Sequence, residues 1–216
     1  NPAFRIALNR ESCNDGGLLM VDKRNHSARL YLISSVDSYH QQFIVNNSLM
    51  LIYAMFTSTL DTLLVHASVI INHNSGYAFL GRSGTGKSTH TRLWLKYIKG
   101  SSLLNDDNPV IRILSDGTAV IYGSPWSGKT PCYKNECAPL KSMVRLSQAP
   151  YNKISILRGI SAYAAVSPSA SSMKWDKSIA DGLHKTLSRL IDVSGIYHLE
   201  CLPDEAAAEL CYNTVK

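Results

Sequence analysis

Residues 81–88 read Gly-Arg-Ser-Gly-Thr-Gly-Lys-Ser and satisfy the pattern GxxxxGK followed by Ser or Thr. The chemistry this pattern supports is phosphate binding. Glycines at 81, 84 and 86 let the backbone curl without Cβ clashes, so successive amide N–H groups can converge on the β- and γ-phosphates of a nucleotide. Lys87 adds a cation where phosphate charge concentrates. The Ser88 hydroxyl suits Mg²⁺, and a helix starting here turns its positive dipole end toward the same anion. Arg82, Ser83, Thr85 and Thr89 complete the segment expected to contact the nucleotide.

Two further groups are measured from this loop. His66 precedes it by fifteen residues, and the pair Asp106-Asp107 follows Lys87 by about twenty. One helix and one turn would carry the chain from the loop into a second strand whose end bears Mg²⁺-directed carboxylates, a Walker B-like arrangement. Asp106 is expected as the base and Asp107 as the metal-side carboxylate, with exchange of the two roles left open. The bland readings are a solvated Asp-Asp-Asn-Pro turn and, for His66, a packed residue at a strand rim. Farther on, residues 123–131 form an irregular stretch with two prolines, two glycines, Trp126 and Lys129. Such loops often serve a site. Lys129 is expected to meet a substrate anion, Trp126 to wall a pocket, and Glu136 to join the metal or stand exposed.

The elements needed to position these residues are legible around them. Residues 77–80 are a short apolar strand, and residues 89–99 repeat apolar side chains at Leu93, Trp94, Tyr97 and Ile98, a helical spacing closed by Gly100. Residues 63–71 read as one strand neighbouring 77–80, with a turn at 72–76. Residues 110–114 and 119–123 read as a hairpin, and 143–146 as a short strand. Upstream, 4–8, 18–21 and 28–33 favour strands, the last two as a hairpin, and Asn46 or Asn47 would cap an all-round apolar helix at 49–60 buried within the domain. Downstream, residues 154–166 are helical in composition, and 168–172 form a loop. Residues 176–192 form an amphipathic helix with Ile179, Leu183, Leu187, Leu190 and Ile191 on one face. A strand at 196–199 and a final helix at 206–215 close the chain.

Composition frames this reading. The chain has 216 residues, 45% hydrophobic and 18% charged, enough for one large domain or a domain with a small appendage. Residues 1–60 are expected to be integral or a small lobe, and 61–216 the nucleotide domain. No apolar run suits a membrane span, and no secretory signal opens the sequence. The net charge of +6 is scattered rather than clustered, which favours phosphate chemistry over nucleic acid. Five cysteines without a CxxC pair suggest reduced thiols and a cytoplasmic setting.

Together, His66-Ala67-Ser68, the loop and Asp106-Asp107 resemble the HPr kinase/phosphorylase catalytic domain, which joins an HxS strand motif, a GxSGxGKS loop and an Asp-Asp pair. The wording SGTGKST is also similar to the loop of ATP-dependent phosphoenolpyruvate carboxykinase. The resemblance covers roughly residues 63–146. Where HPr kinases carry EIRGLG, this chain has Glu-Cys-Ala-Pro-Leu-Lys at 136–141, matching only at Glu136 and Leu140. The resemblance implies an α/β fold with a mixed sheet flanked by helices, the N-terminal hairpin and helix packed on it. It also implies ATP and Mg²⁺ as cofactors and a serine or other hydroxyl of a protein, peptide or small molecule as acceptor. Homo-oligomers occur in that family. The expected activity is a hydroxyl kinase; a nucleotide-gated binding protein and carboxykinase-type carbon chemistry are the alternatives.

Overall fold

The computed structural model describes residues 3–7, 15–33, 35–128 and 130–216. Its centre is set by β6 (Ser75–Leu80), whose side chains alternate between two cores because successive Cβ atoms of a strand point to opposite faces. Ala78 and Leu80 enter one core, with α3 (Gly159–Val166) and α4 (Lys177–Val193). Tyr77 and Phe79 enter the other, with α2 (Lys87–Tyr97) and α5 (Glu205–Val215). The strand is therefore buried on both faces, and its near-continuous apolar sequence follows from that.

The main sheet has ten strands and is mixed, with the order β12-β4-β8-β9-β10-β6-β5-β7 and with β13 pairing β10 and β11 beside this path. Its strands are β4 (Thr62–Val65), β5 (Ala67–Asn72), β6, β7 (Ser101–Asn105), β8 (Val110–Ile113), β9 (Ala119–Tyr122), β10 (Cys137–Gln148), β11 (Lys153–Ile156), β12 (Ala170–Ser171) and β13 (Gly195–Cys201). β10 runs parallel to both β6 and β13, and the other pairings are antiparallel. The predicted α/β class with helices on a mixed sheet is the architecture found.

Ahead of it, β1 (Ala3–Ala7), β2 (Asp15–Asp22) and β3 (Ser27–Leu32) form a separate antiparallel sheet. α1 (Ser38–Thr57) packs on it and on β4. Leu19, Val21 and Met55 share a third core with Met173 and Ile179, and Lys23 pairs with Asp176, so this N-terminal unit is joined to the start of α4.

Several expectations change. The first helix begins at Ser38, where the Asp37 carboxylate accepts from the His40 N–H at 3.1 Å; Asn46 and Asn47 lie inside it. Nor is it buried all round, since Phe43 and Leu49 are 46% and 50% exposed. Residues 154–166 divide into β11 and α3, with Gly159 at φ +53° between extended and helical backbone. The strand expected at 143–146 is a twelve-residue strand. The strand expected at 63–71 is broken at His66 into β4 and β5. The amphipathic helix is found as α4, capped by Asp176, with Ile179, Leu183, Leu187 and Leu190 buried. No helix among the described residues is long and apolar enough to cross a membrane.

Candidate active site

The glycine-rich loop joins β6 to α2, the strand, loop and helix order that its sequence required. Gly84 and Gly86 adopt φ of +82° and +110°, and a Cβ at either would meet nothing within 4 Å, so these positions need glycine for backbone conformation rather than for space. The His90 N–H donates to the Gly86 carbonyl at 2.8 Å, starting the helix immediately. Lys87, in the first turn, is buried at 8% exposure and folds back over the loop, donating to the carbonyls of Gly81 at 2.9 Å and Arg82 at 3.4 Å.

His66 reaches the loop through register. Antiparallel pairing places Ala67 opposite Leu80, so His66 stands at the strand end beside Gly81 and away from the turn. Its backbone is held on one side by the Ser169 carbonyl at 2.7 Å, while the N–H groups of Val65 and Ala67 donate to the carbonyls of Pro109 and Asp107. The ring bridges two charged groups. His66 Nε2 is 2.8 Å from Lys87 Nζ, and His66 Nδ1 is 3.1 Å from Asp107 Oδ1. Lysine is a donor only, so Nε2 accepts and the proton resides on Nδ1, which donates to the carboxylate. Burial lowers the Lys87 pKa, and the charges of Asp107 and then Asp106 oppose that shift.

The two aspartates differ in setting. Asp106 is 6% exposed; its Oδ1 accepts from the Ser68 hydroxyl at 2.6 Å, and Ser68 Oγ also lies 3.2 Å from Thr91 Oγ1 on α2. Thr91 in turn donates to the Ser88 carbonyl at 3.1 Å. Asp106 is thus tied to the helix turn that carries Ser88. The Asp107 side chain is 31% exposed and sits on the His66 side, where its Oδ2 also accepts from Asn108 Nδ2 at 2.8 Å. Asp107 is the more accessible carboxylate, and Asp106 the one linked through Ser68 and Thr91 to the Ser88 carbonyl.

Residues 123–128 are pinned beneath this pair. Asn105 Nδ2 donates to Ser124 Oγ at 3.2 Å and to the Trp126 carbonyl at 3.1 Å, while its Oδ1 accepts from the Asp107 N–H at 2.9 Å. A Cβ on Gly128 would lie 2.9 Å from the Asp106 carbonyl oxygen. Close backbone approach, then, is why glycine occupies that position.

Compared with known proteins, the chain matches no family model and no curated sequence. The site therefore rests on its own geometry. The structure brings together His66, residues 81–89, Asp106 and Asp107. No hydrogen bond or ion pair among the described residues ties the Glu136 side chain to them: that carboxylate is exposed just before β10, 3.7 Å from Lys134 Nζ. Trp126 turns its ring to Tyr53 of α1, with ring centroids 5.7 Å apart, in a cavity of about 570 Å³ with Arg112 and Tyr122. It walls a pocket, as expected, but not one that the glycine-rich loop lines. Lys129 lies outside the described residues.

Sequence reasoning placed Ser68 in a motif without assigning it a contact and gave no role to Asn105, Gly128 or Arg145. Ser68 was within reach, since His66 and Ser68 are two residues apart in an extended segment and so share a face. Arg145 comes to the loop only because β10 pairs with β6 opposite Leu80, a long-range register that no local pattern carries.

Proposed function

We propose that this chain is an ATP- and Mg²⁺-dependent kinase of the HPr kinase and phosphoenolpyruvate carboxykinase type, transferring the γ-phosphoryl group to a hydroxyl, most simply a serine side chain or a small molecule. The observation that carries this reading is the Asp107–His66–Lys87 chain at the mouth of the glycine-rich loop. A nucleotide cradle alone would need only the loop and Lys87. An accessible carboxylate, oriented by a histidine that also contacts the phosphate-directed lysine, is what hydroxyl activation adds.

In this mechanism the amides of residues 81–87 and the Lys87 ammonium hold the β- and γ-phosphates. An acceptor hydroxyl approaches Asp107, which takes its proton as the oxygen attacks the γ-phosphorus in line with the leaving oxygen. His66 Nδ1–H and Asn108 Nδ2–H hold the Asp107 carboxylate in position. The donor set suits Mg²⁺, which takes one or two carboxylates and completes its shell with water and phosphate oxygens: Ser88 Oγ and Asp106 would hold it. Bound there, Mg²⁺ supplies charge neutralisation at the β- and γ-phosphates.

The test uses γ-labelled ATP, cell extract from the source organism and mass spectrometry to locate the label. Asp107→Asn is expected to bind ATP as wild type does and to lose transfer by roughly two to four orders of magnitude, the usual contribution of a general base. Asp106→Asn is expected instead to raise the Mg²⁺ concentration giving half-maximal rate. Transfer by Asp107→Asn at the wild-type rate would refute the base assignment. ATP binding with no acceptor ever labelled would turn the reading toward a nucleotide-gated binding protein.

A further inference from the structure

Two clefts of about 650 Å³ each border the glycine-rich loop, and both reach Gly84 and Thr85. Their chemistry differs. The first extends past His66 and Gly81 and is lined by Arg82 and Arg145, with no carboxylate in its wall. The second lies along the start of α2 and is walled by Thr89, Leu93, Leu146, Ala149, Leu202 and Pro203, with no Lys, Arg, Asp or Glu.

The direction of a loop of this kind fixes which cleft faces which end of a nucleotide. Its backbone amides cradle the α- and β-phosphates while its lysine reaches the β- and γ-phosphates. Here Lys87 Nζ points back to Gly81 and His66, so the terminal phosphate lies toward the first cleft. The opposite end of the triphosphate then leaves the loop past Thr89. We infer that the second cleft receives the base and ribose of the nucleotide; the inference rests on the kinase reading only in requiring that residues 81–88 hold the phosphates.

The cleft's electrostatics agree. His90 lines it, and the Trp94 indole N–H donates into His90 Nε2 at 3.2 Å, which leaves the imidazole proton on Nδ1. Because Nε2 accepts rather than donates, the ring carries a single proton and is uncharged in this arrangement. Burial, with Asp204 adding to it, pushes the Cys201 thiol up to about 11, so this group is neutral too. An uncharged slot with leucine and proline walls suits the faces of a flat heterocycle and gives a phosphate no counter-charge. The Arg82 and Arg145 cleft has the opposite character.

Titration calorimetry of the full chain with Mg·ATP and with Mg·tripolyphosphate separates the two parts of this idea, because tripolyphosphate reports the loop alone. ATP is expected to bind at least about tenfold tighter than tripolyphosphate. Ala149→Trp, which fills the cleft, is expected to bring ATP down to the tripolyphosphate affinity while leaving tripolyphosphate unchanged. Leu202→Asp, at a position 39% exposed, is expected to act in the same direction. Photolabelling with 8-azido-ATP should mark peptides containing residues 146–149 or 201–203. Equal binding of ATP and tripolyphosphate, unaltered ATP binding in both variants, or labelling confined to the Arg145 and Pro168 side overturns the cleft assignment and leaves the loop reading intact. Binding of neither ligand overturns both.

Discussion

His66 accepts from one cation and donates to one carboxylate, and this gives it a role that neither neighbour has. His66→Ala leaves Lys87 its two carbonyl partners but removes a donor from Asp107. The expected outcome is a fall in transfer rate of about 10²-fold with ATP affinity nearly unchanged, read from steady-state kinetics beside equilibrium binding. A loss confined to ATP affinity would instead make His66 a positioner of Lys87. His90 makes a different kind of prediction. Burial disfavours the charged ring and lowers its pKa from the ordinary 6.5 to about 4. The unfolded chain therefore takes up the proton first as pH drops. Stability is fully present above about pH 6.5 and is lost as pH falls toward 4, by about 3 kcal/mol from this group alone. Urea unfolding across that range should show His90→Gln losing less stability on acidification than wild type does.

Among the elements, β7 carries the site most directly, because its last residue is Asn105 and the acidic pair follows without a break. Asn105 is fully buried and bonds on both sides, so Asn105→Ala strands the Asp107 N–H and leaves the Trp126 carbonyl only its contact with Ser124 Oγ. A cost of about 2 kcal/mol in chemical denaturation is expected, with catalytic loss beyond what the remaining folded fraction explains. This element also marks where sequence reading stops. The loop, its strand and α2 were legible because their signals are local: glycines, then a lysine, then a 3.6-residue period. The apolar run before Asp106 is short, only Leu103 and Leu104, because Ser101, Ser102 and Asn105 are strand residues whose partners lie across β5. Residues 38–48 mix His, Gln, Asn and Ser with apolar side chains on a helix only partly covered by its neighbours, which hid the first half of α1. The difference in exposure between Asp106 and Asp107 was not legible for a similar reason: adjacent residues look equivalent until the folded partners decide which one is buried toward α2.

At the scale of the whole molecule, the N-terminal unit, the sheet and the helices share interfaces: Tyr53 against Trp126, Asp61 with Arg189 at 2.6 Å, and Lys23 with Asp176. One cooperative thermal transition is expected, followed alike by far-ultraviolet dichroism and by tryptophan fluorescence. Mg·ATP at a hundred times its Kd should stabilise that transition by about 2.7 kcal/mol, a rise in Tm of roughly 5–10 °C for a chain of this size. In Lys87→Ala the rise should disappear. A rise of the same size in that variant would locate nucleotide binding elsewhere. The break in the strand at His66 carries a consequence of another kind, for the lengths that related chains can have. Bonds from Val65 and Ala67 to the 107–109 segment hold the residue on either side of it. One residue inserted or deleted between Val65 and Ala67 would invert the inside-outside alternation of β4 relative to β5 and swing the histidine off the loop. The surface turns at 23–26 and 115–117 have no such constraint and can lengthen freely. Across homologues, residues 62–72 should therefore keep one fixed length even where their side chains diverge.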